Sequence, residues 1–148
     1  MKRSLFVILV LLVISAAVAA QKSSDNPQTG DPGPIRTSPA YAEVLLRRTE
    51  LQADIEAFGE SYTEVNPKML DMRTELASLD KSLEKLFGVK PTETAKLTQA
   101  LGKLIVKKAA LEADLAHLLR TYNLAHPDVK RAKRRLEIFE SAIGEILK

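Results

Sequence analysis

Residues 67–86 read PKMLDMRTELASLDKSLEKL and residues 127–146 read PDVKRAKRRLEIFESAIGEI, and these two stretches decide the fold. After each proline, large apolar residues recur at steps of three and four, as Met69, Met72 and Leu76 do in the first stretch. That is the heptad spacing of helices that pack side by side, and no β-strand has this period. The two stretches therefore predict amphipathic helices that carry one apolar stripe each.

Both stretches belong to an internal repeat of about 60 residues. A shift of the chain by sixty positions superimposes identical residues in one phase, and the apolar stripe superimposes with them. The identical pairs include Leu51/Leu111, Ala53/Ala113, Asp54/Asp114, Tyr62/Tyr122, Pro67/Pro127 and Leu76/Leu136. The heptad also holds ahead of each proline, so each repeat reads as helix, break, helix.

The breaks contain the turn-forming residues Tyr62, Asn66, Pro67, Tyr122, His126 and Pro127. A proline inside a helix costs about 3 kcal/mol, whereas at the first position of a new helix it costs almost nothing. The heptad phase runs through each break, so a kinked long helix and a tight turn between two helices both fit the pattern. The cost of the kink favours the turn, with Asn66 as the better cap and His126 as the poorer one.

These patterns predict an all-α protein of two tandem helical hairpins, residues 41–88 and 92–148, separated near Gly88 and Pro91. One hairpin buries only one stripe, so the two hairpins either form a four-helix bundle or coiled coil, or leave stripes open for self-association. The residues expected to form the helix-association seam are Leu76, Leu79, Leu83, Leu136, Phe139 and Ile143.

The amino-terminal residues predict export. Residues 1–20 combine Lys2 and Arg3 with a long apolar run and small residues at a cleavage position, which is the pattern of a secretory signal peptide. An uncleaved membrane anchor is the alternative. Residues 21–40 are rich in Pro, Gly and Ser and predict a disordered linker. The protein is therefore expected in the periplasm or outside the cell, by the general secretory route.

The inventory of reactive groups is small. The chain has no cysteine, so it has no disulfide framework and no thiolate metal site. Its two histidines do not show metal-ligand spacing: His117 lies on a helix face and His126 in a turn. No glycine-rich phosphate loop is present. The sequence predicts no catalytic residues, no cofactor and no metal site, and therefore no enzyme.

A basic cluster opens the last predicted helix. It consists of Lys130, Arg131, Lys133, Arg134 and Arg135. One interpretation is an anion-binding patch for lipid headgroups or an acidic glycan. The other is a solvated helix face that pairs with acids such as Glu60 and Glu64 or with another chain. The predicted export disfavours nucleic acid as a ligand.

Residues 122–129, with Leu136 on the heptad, carry a tyrosine followed by His-Pro-Asp-Val. This segment resembles the signature in the periplasmic coiled coils of bacterial polysaccharide chain-length determinants and exopolysaccharide co-polymerases. Residues 62–69 are a degenerate copy. The resemblance implies an oligomeric helical hairpin that works in envelope polysaccharide export. Members of that family also have a second membrane span after the coiled coil, and this sequence shows none up to Lys148.

The residues and the resemblance together predict an exported coiled-coil scaffold or adaptor of the cell envelope, linked to polysaccharide export. Its partner is expected to be a second copy or another envelope coiled-coil protein, with an anionic lipid or glycan as a further ligand. The alternative is a small periplasmic helical chaperone, or a stress or metal sensor. That alternative requires a concave apolar surface.

Overall fold

The computed structural model describes residues 33–148, and over that range the protein is built from helices, which confirms the predicted all-α class. The elements are α1 (Gly33–Arg36), α2 (Pro39–Gly59), α3 (Pro67–Phe87), a 3-10 helix (Pro91–Lys96), α4 (Gln99–Thr121) and α5 (Pro127–Leu147). Within this range no helix is both long and apolar enough to cross a membrane. The predicted signal peptide and residues 21–32 of the predicted linker lie outside the described residues.

Pro67 and Pro127 each begin a new helix, so the breaks before them are turns between two helices and not kinks in one long helix. Helix α2 ends at Gly59 and α3 begins at Pro67, while α4 ends at Thr121 and α5 begins at Pro127. The helices on either side of each turn pack against each other. The two tandem hairpins predicted from the repeat are therefore confirmed; we call α2 with α3 hairpin 1, and α4 with α5 hairpin 2.

The repeat extends to the way the helices begin. Ser38 and Thr98, sixty positions apart, cap α2 and α4, and each hydroxyl accepts a hydrogen bond from the amide three residues later. Asn66 and His126 cap α3 and α5, and each side chain accepts from the amide two residues later. Caps of this kind satisfy amides that lack a partner inside the helix. The imidazole of His126 thus caps α5, although His126 is the poorer cap by residue type.

Helix α4 is the centre of the bundle that residues 33–148 form. It packs against α2, α3 and α5, whereas α2 and α3 pack against α4 and each other. Most of the largest fully buried side chains lie on α2, α3 and α4, and α5 contributes Val129 alone to the buried set. The fully buried large residues are Val44, Leu51, Met69, Leu79, Leu86, Leu97, Leu101, Leu111 and Val129. The described bundle is thus a three-helix core with α5 added against α4.

Helices α2 and α4 approach each other closely at Gly102. A Cβ atom on Gly102 would lie 2.7 Å from Cβ of Glu43 and 2.9 Å from Cα of Ala40. The amide of Ala40 also donates to the carbonyl of Leu97, at 3.1 Å. Only glycine permits this backbone contact, so Gly102 sets the distance between the two hairpins.

The predicted linker was too long at its carboxyl end. Residues 33–36 are helical, and Ile35 and Ala40 are buried in the core cluster. The hydroxyl of Ser38 donates to the carbonyl of Ile35 at 2.6 Å, and the guanidinium of Arg36 lies 5.8 Å from the ring centre of Phe87. The prediction was wrong for these residues because average composition does not reveal that one isoleucine can anchor a proline-rich segment.

Candidate functional site

An open site lies in the groove between α4 and α5, and we call it the hairpin 2 cleft. It has a volume of about 550 Å³. Apolar residues form its floor, and carboxylates and cations surround them. The lining residues are Asp71, Leu111, Asp114, His117, Leu118, Asp128, Arg131, Ala132 and Arg135. All of these except Asp71 belong to hairpin 2.

Hairpin 1 has the same groove, sixty residues earlier, but α4 covers it. The cavity left there measures about 170 Å³ and is lined by Leu51, Asp54, Lys68, Asp71, Met72 and Glu75, with Arg47 beside them. All but Arg47 correspond by the sixty-residue shift to lining residues of the hairpin 2 cleft. Ala110, Ala113 and Asp114 of α4 close the hairpin 1 groove. The hairpin 2 cleft is therefore the uncovered counterpart of a groove that is covered in hairpin 1.

A charged cluster joins the two hairpins at the end nearest the turns. Nδ1 of His117 lies 3.1 Å from Oδ2 of Asp71, and Arg120 donates a hydrogen bond to the other oxygen of Asp71. Nη2 of Arg120 also lies 3.0 Å from Nδ1 of His117. His117 is half exposed; its contact with Asp71 joins α4 to α3, and its contact with Arg120 lies within α4. The cluster is therefore a contact between hairpin 1 and hairpin 2.

The five basic residues of the candidate anion-binding patch lie along the first half of α5. Lys133 is half-buried, and the other four are exposed. Arg131 pairs with Asp128 of its own helix, and this hydrogen bond lowers the pKa of Asp128. None of the patch residues pairs with Glu60 or Glu64 in the described part of the chain, where Glu64 pairs instead with Arg73. Within the described residues, Arg131 is thus the member of the patch with an acidic partner on its own helix, and Lys130, Arg134 and Arg135 are exposed to solvent.

The two turns place their tyrosines differently. Tyr62 stacks on Phe58 of α2, with ring centres 5.2 Å apart. Tyr122 stacks on the imidazole of His126, with ring centres 4.0 Å apart. Both tyrosines remain about half exposed. In hairpin 2 the ring of His126 therefore has two contacts, the amide of Asp128 and the ring of Tyr122, which together hold the turn.

The predicted seam residues divide between the two hairpins. Leu79 is fully buried, while Leu76 and Leu83 are partly buried against the core. On α5, Ile143 packs against the core cluster, and Leu136 lines a groove of about 640 Å³ that runs between α3, α4 and α5. Leu136 and Phe139 stay partly exposed. The apolar stripe of α3 is therefore covered by neighbouring helices, whereas the apolar stripe of α5 is covered only in part.

Sequence reasoning did not identify the ion pairs that join the helices of each hairpin. Nε of Arg48 donates to Asp80 at 2.6 Å, and Lys108 lies 3.5 Å from Glu140, which are the same two positions shifted by sixty. The sequence contains a signal for these ion pairs, because both repeats place an acidic residue 32 residues after a basic one. A search of the repeat for compensating charges would have found these pairs.

A second ion pair is formed only in hairpin 1. Arg47 donates to both carboxylate oxygens of Glu75, at 2.7 and 3.1 Å, and these bonds raise the pKa of Arg47. The corresponding residues of hairpin 2 are Lys107 and Arg135, two cations. Hairpin 2 therefore has two cations at the positions where hairpin 1 has a bidentate bridge.

Glu112 forms a polar contact between the hairpins. Burial raises the pKa of Glu112, but hydrogen bonds from Lys108 and Ser78 and the charges of Lys108 and Lys85 outweigh that effect, so the pKa is lowered. Across the sixty-residue shift, Ser78 corresponds to Ile138, which is 67% exposed. The contact that Ser78 makes thus has no equivalent on α5.

The arrangement is suited to helix association and to binding charged partners. Within the described residues no group of three or more His, Asp or Glu side chains could hold a metal ion. Comparison of the chain with protein-family models, curated proteins and solved structures gave no match. The geometry of the site itself is consequently the basis for assigning a function.

Proposed function

We propose that this protein is an exported scaffold or adaptor of the bacterial cell envelope that acts by helix–helix association through hairpin 2. One observation carries the proposal: α5 has a continuous heptad stripe, yet Val129 is its only buried residue. An amphipathic helix gains stability by covering its apolar face, so a half-covered stripe favours a protein partner. We expect such a partner to cover Leu136, which lies on this stripe, and the exposed Ile138 beside it.

A role linked to polysaccharide export is supported by the turn of hairpin 2. Residues 122–129 carry the resemblance to chain-length determinants, and their turn is held by the stacked rings of Tyr122 and His126. The basic patch on α5 begins directly after this turn. A glycan with acidic groups, or an anionic lipid, matches the charge of that patch. We propose that the patch lies toward the exported polymer or the membrane surface.

A crosslinking experiment tests the scaffold proposal. A photoreactive amino acid replaces Ile138 in the full chain, expressed in its native host, and crosslinked products are recovered from the periplasmic fraction. The control carries the same probe at Val65, an exposed apolar residue in the turn of hairpin 1. We expect one or two discrete protein products from Ile138 and none of these from Val65.

Two other outcomes would contradict the scaffold. A broad smear of unrelated proteins at Ile138 supports the chaperone instead, because unfolded clients are heterogeneous. Recovery of the chain only from the cytoplasm would exclude the envelope altogether. The polysaccharide link has a separate measurement: deletion of the gene should change the length distribution of surface polysaccharide on a gel, and an unchanged distribution would count against that part of the proposal.

A further inference from the structure

The internal repeat shows how a hairpin groove is covered in this protein. In hairpin 1, α4 covers the groove between α2 and α3 with a face of small and apolar residues. This face includes Gly102, Ile105, Ala109 and Ala113, all of them buried. The equivalent groove in hairpin 2 is the open cleft of about 550 Å³. Within the described residues, no third hairpin exists to cover it.

The helix that would match this cleft is α2. Shifted by sixty positions, the covering face of α4 corresponds to Ala42, Leu45, Thr49 and Ala53 of α2. These four residues are exposed, and so is the neighbouring Leu46, at 59%. The face of α2 that corresponds to the covering face of α4 is therefore exposed in the described structure.

Charges at the two surfaces are complementary when the same geometry is repeated. Inside the chain, Arg120 of α4 pairs with Asp71 of α3. The equivalent positions hold Glu60, after α2, and Arg131, on α5, so both charges are reversed and the pair stays attractive. Ala116 and Thr74, which are uncharged, line one groove between α4 and α3, and their counterparts Glu56 and Arg134 carry opposite charges.

We propose that α2 of a second copy of this chain docks in the hairpin 2 cleft, so that copies stack head to tail in the manner in which hairpin 2 stacks on hairpin 1. Such an interface is heterologous, and it leaves a free α2 face at one end and a free cleft at the other. The assembly is therefore open-ended, as in proteins built from stacked helical repeats. One difference is set by Ala42, which replaces Gly102 and holds the docked helix slightly farther away. The inference rests on the proposed function and identifies its partner as another copy.

Charge reversal at the proposed contact gives a direct test. The full chain, produced with its own leader and purified as the cell leaves it, is studied by sedimentation velocity over a range of concentrations. The variants are Arg131→Glu, Glu60→Arg and the double variant that carries both changes. Wild type should grow beyond a dimer as concentration rises. Each single change should weaken association about tenfold or more, because it places like charges opposite each other across the interface.

Rescue distinguishes a specific contact from a folding defect. The double variant restores an attractive pair with the charges exchanged, so its association should return to within about threefold of wild type. An equimolar mixture of the two single variants should also associate, since each cleft then meets an oppositely charged α2. The control is Lys90→Glu in the connection between the hairpins, an exposed position with the same change in net charge as Arg131→Glu. It should sediment like wild type.

Several results would overturn the head-to-tail inference. They are a wild-type chain that stays monomeric at every concentration, growth that stops at a closed dimer, and single variants that associate like wild type. Failure of the double variant to recover would also overturn it. These failures are separate from that of the scaffold. A monomeric chain whose Ile138 probe still captures a different envelope protein refutes the second copy as partner and leaves the scaffold standing.

Discussion

Helices α3 and α5 are equivalent elements of the two repeats, yet they are buried to different extents. Each has 21 residues, begins at a proline, is capped by the residue before it, and carries the same heptad stripe. Six residues of α3 are buried, and one residue of α5 is. The reason is position: α3 lies against both α2 and α4, whereas α5 packs mainly against α4. An identical pattern therefore produces identical helices without producing identical burial.

The charged positions of the two hairpins differ in a related way. Glu75 on α3 is bridged by Arg47, and its side chain is only 10% exposed. At the equivalent position on α5 stands Arg135, which lines the open cleft. A buried site must neutralise its charge, whereas an open one can keep it. The basic patch persists on α5 because no helix of the described chain covers that surface.

The largest expected difference between the hairpins is in the cost of removing an apolar side chain. Leu79→Ala should destabilise the protein by about 2–5 kcal/mol, because Leu79 is fully buried in the three-helix core. Phe139→Ala, at the equivalent position, should cost less than half as much, because Phe139 is partly exposed. Urea unfolding followed by circular dichroism, at concentrations where one copy sediments alone, measures both. Equal losses would show that α5 is packed as tightly as α3.

The next largest expected effect is a difference in stability between alanine variants at Gly102 and Gly144. Gly102→Ala should cost about 1–3 kcal/mol, since its Cβ would overlap Ala40 and Glu43 at the contact between the hairpins. Gly144→Ala on α5 meets nothing within 4 Å and should stabilise the helix by about 0.5–1 kcal/mol. The midpoints of thermal unfolding of the two variants should move in opposite directions. A neutral Gly102→Ala would mean that α2 and α4 can separate freely.

A smaller effect is expected at the bidentate bridge. Glu75→Gln keeps the size of the side chain and removes its charge, which weakens both hydrogen bonds from Arg47 and should cost about 1–2 kcal/mol. Arg135→Gln is the matched change on α5. It removes one of two neighbouring cations, so stability should stay within about 0.5 kcal/mol of wild type. Equal destabilisation in urea would show that Arg135 has a partner in the folded chain.

The smallest effect depends on pH and involves Glu112. Its pKa is lowered in the folded protein, so the carboxylate contributes stability above its unfolded value near 4.5, and that contribution is lost as pH falls through the lower folded value. Glu112→Gln should therefore be less stable than wild type at neutral pH, and the gap should close in acid. Denaturant midpoints at a series of pH values test this, with Gln52→Ala, the equivalent position in hairpin 1, as control. A stability difference between Glu112→Gln and wild type that is independent of pH would contradict the stabilising role of the Glu112 carboxylate.

Much of the fold was predictable, because heptads, prolines and caps are local signals. The two hairpins follow from the stripe around Leu76 and Leu136 and from the prolines between the helices. The site was predictable only in part. The basic patch is visible in the sequence, but the cleft it borders depends on α4 covering one groove and not the other. Gly102 was missed, since one glycine within a helix does not reveal which helix lies against it.

The sequence by itself determined the helices, their turns and the duplication, because backbone hydrogen bonding, capping and the 3.6-residue period act within a few residues of each position. Only the tertiary structure decided which of two equal stripes is buried. That choice depends on the order in which hairpins stack, with α4 between them, and the last hairpin of any stack keeps an open groove. A helix needs neighbours on two sides to bury its face, and the described part of the chain provides α5 with one.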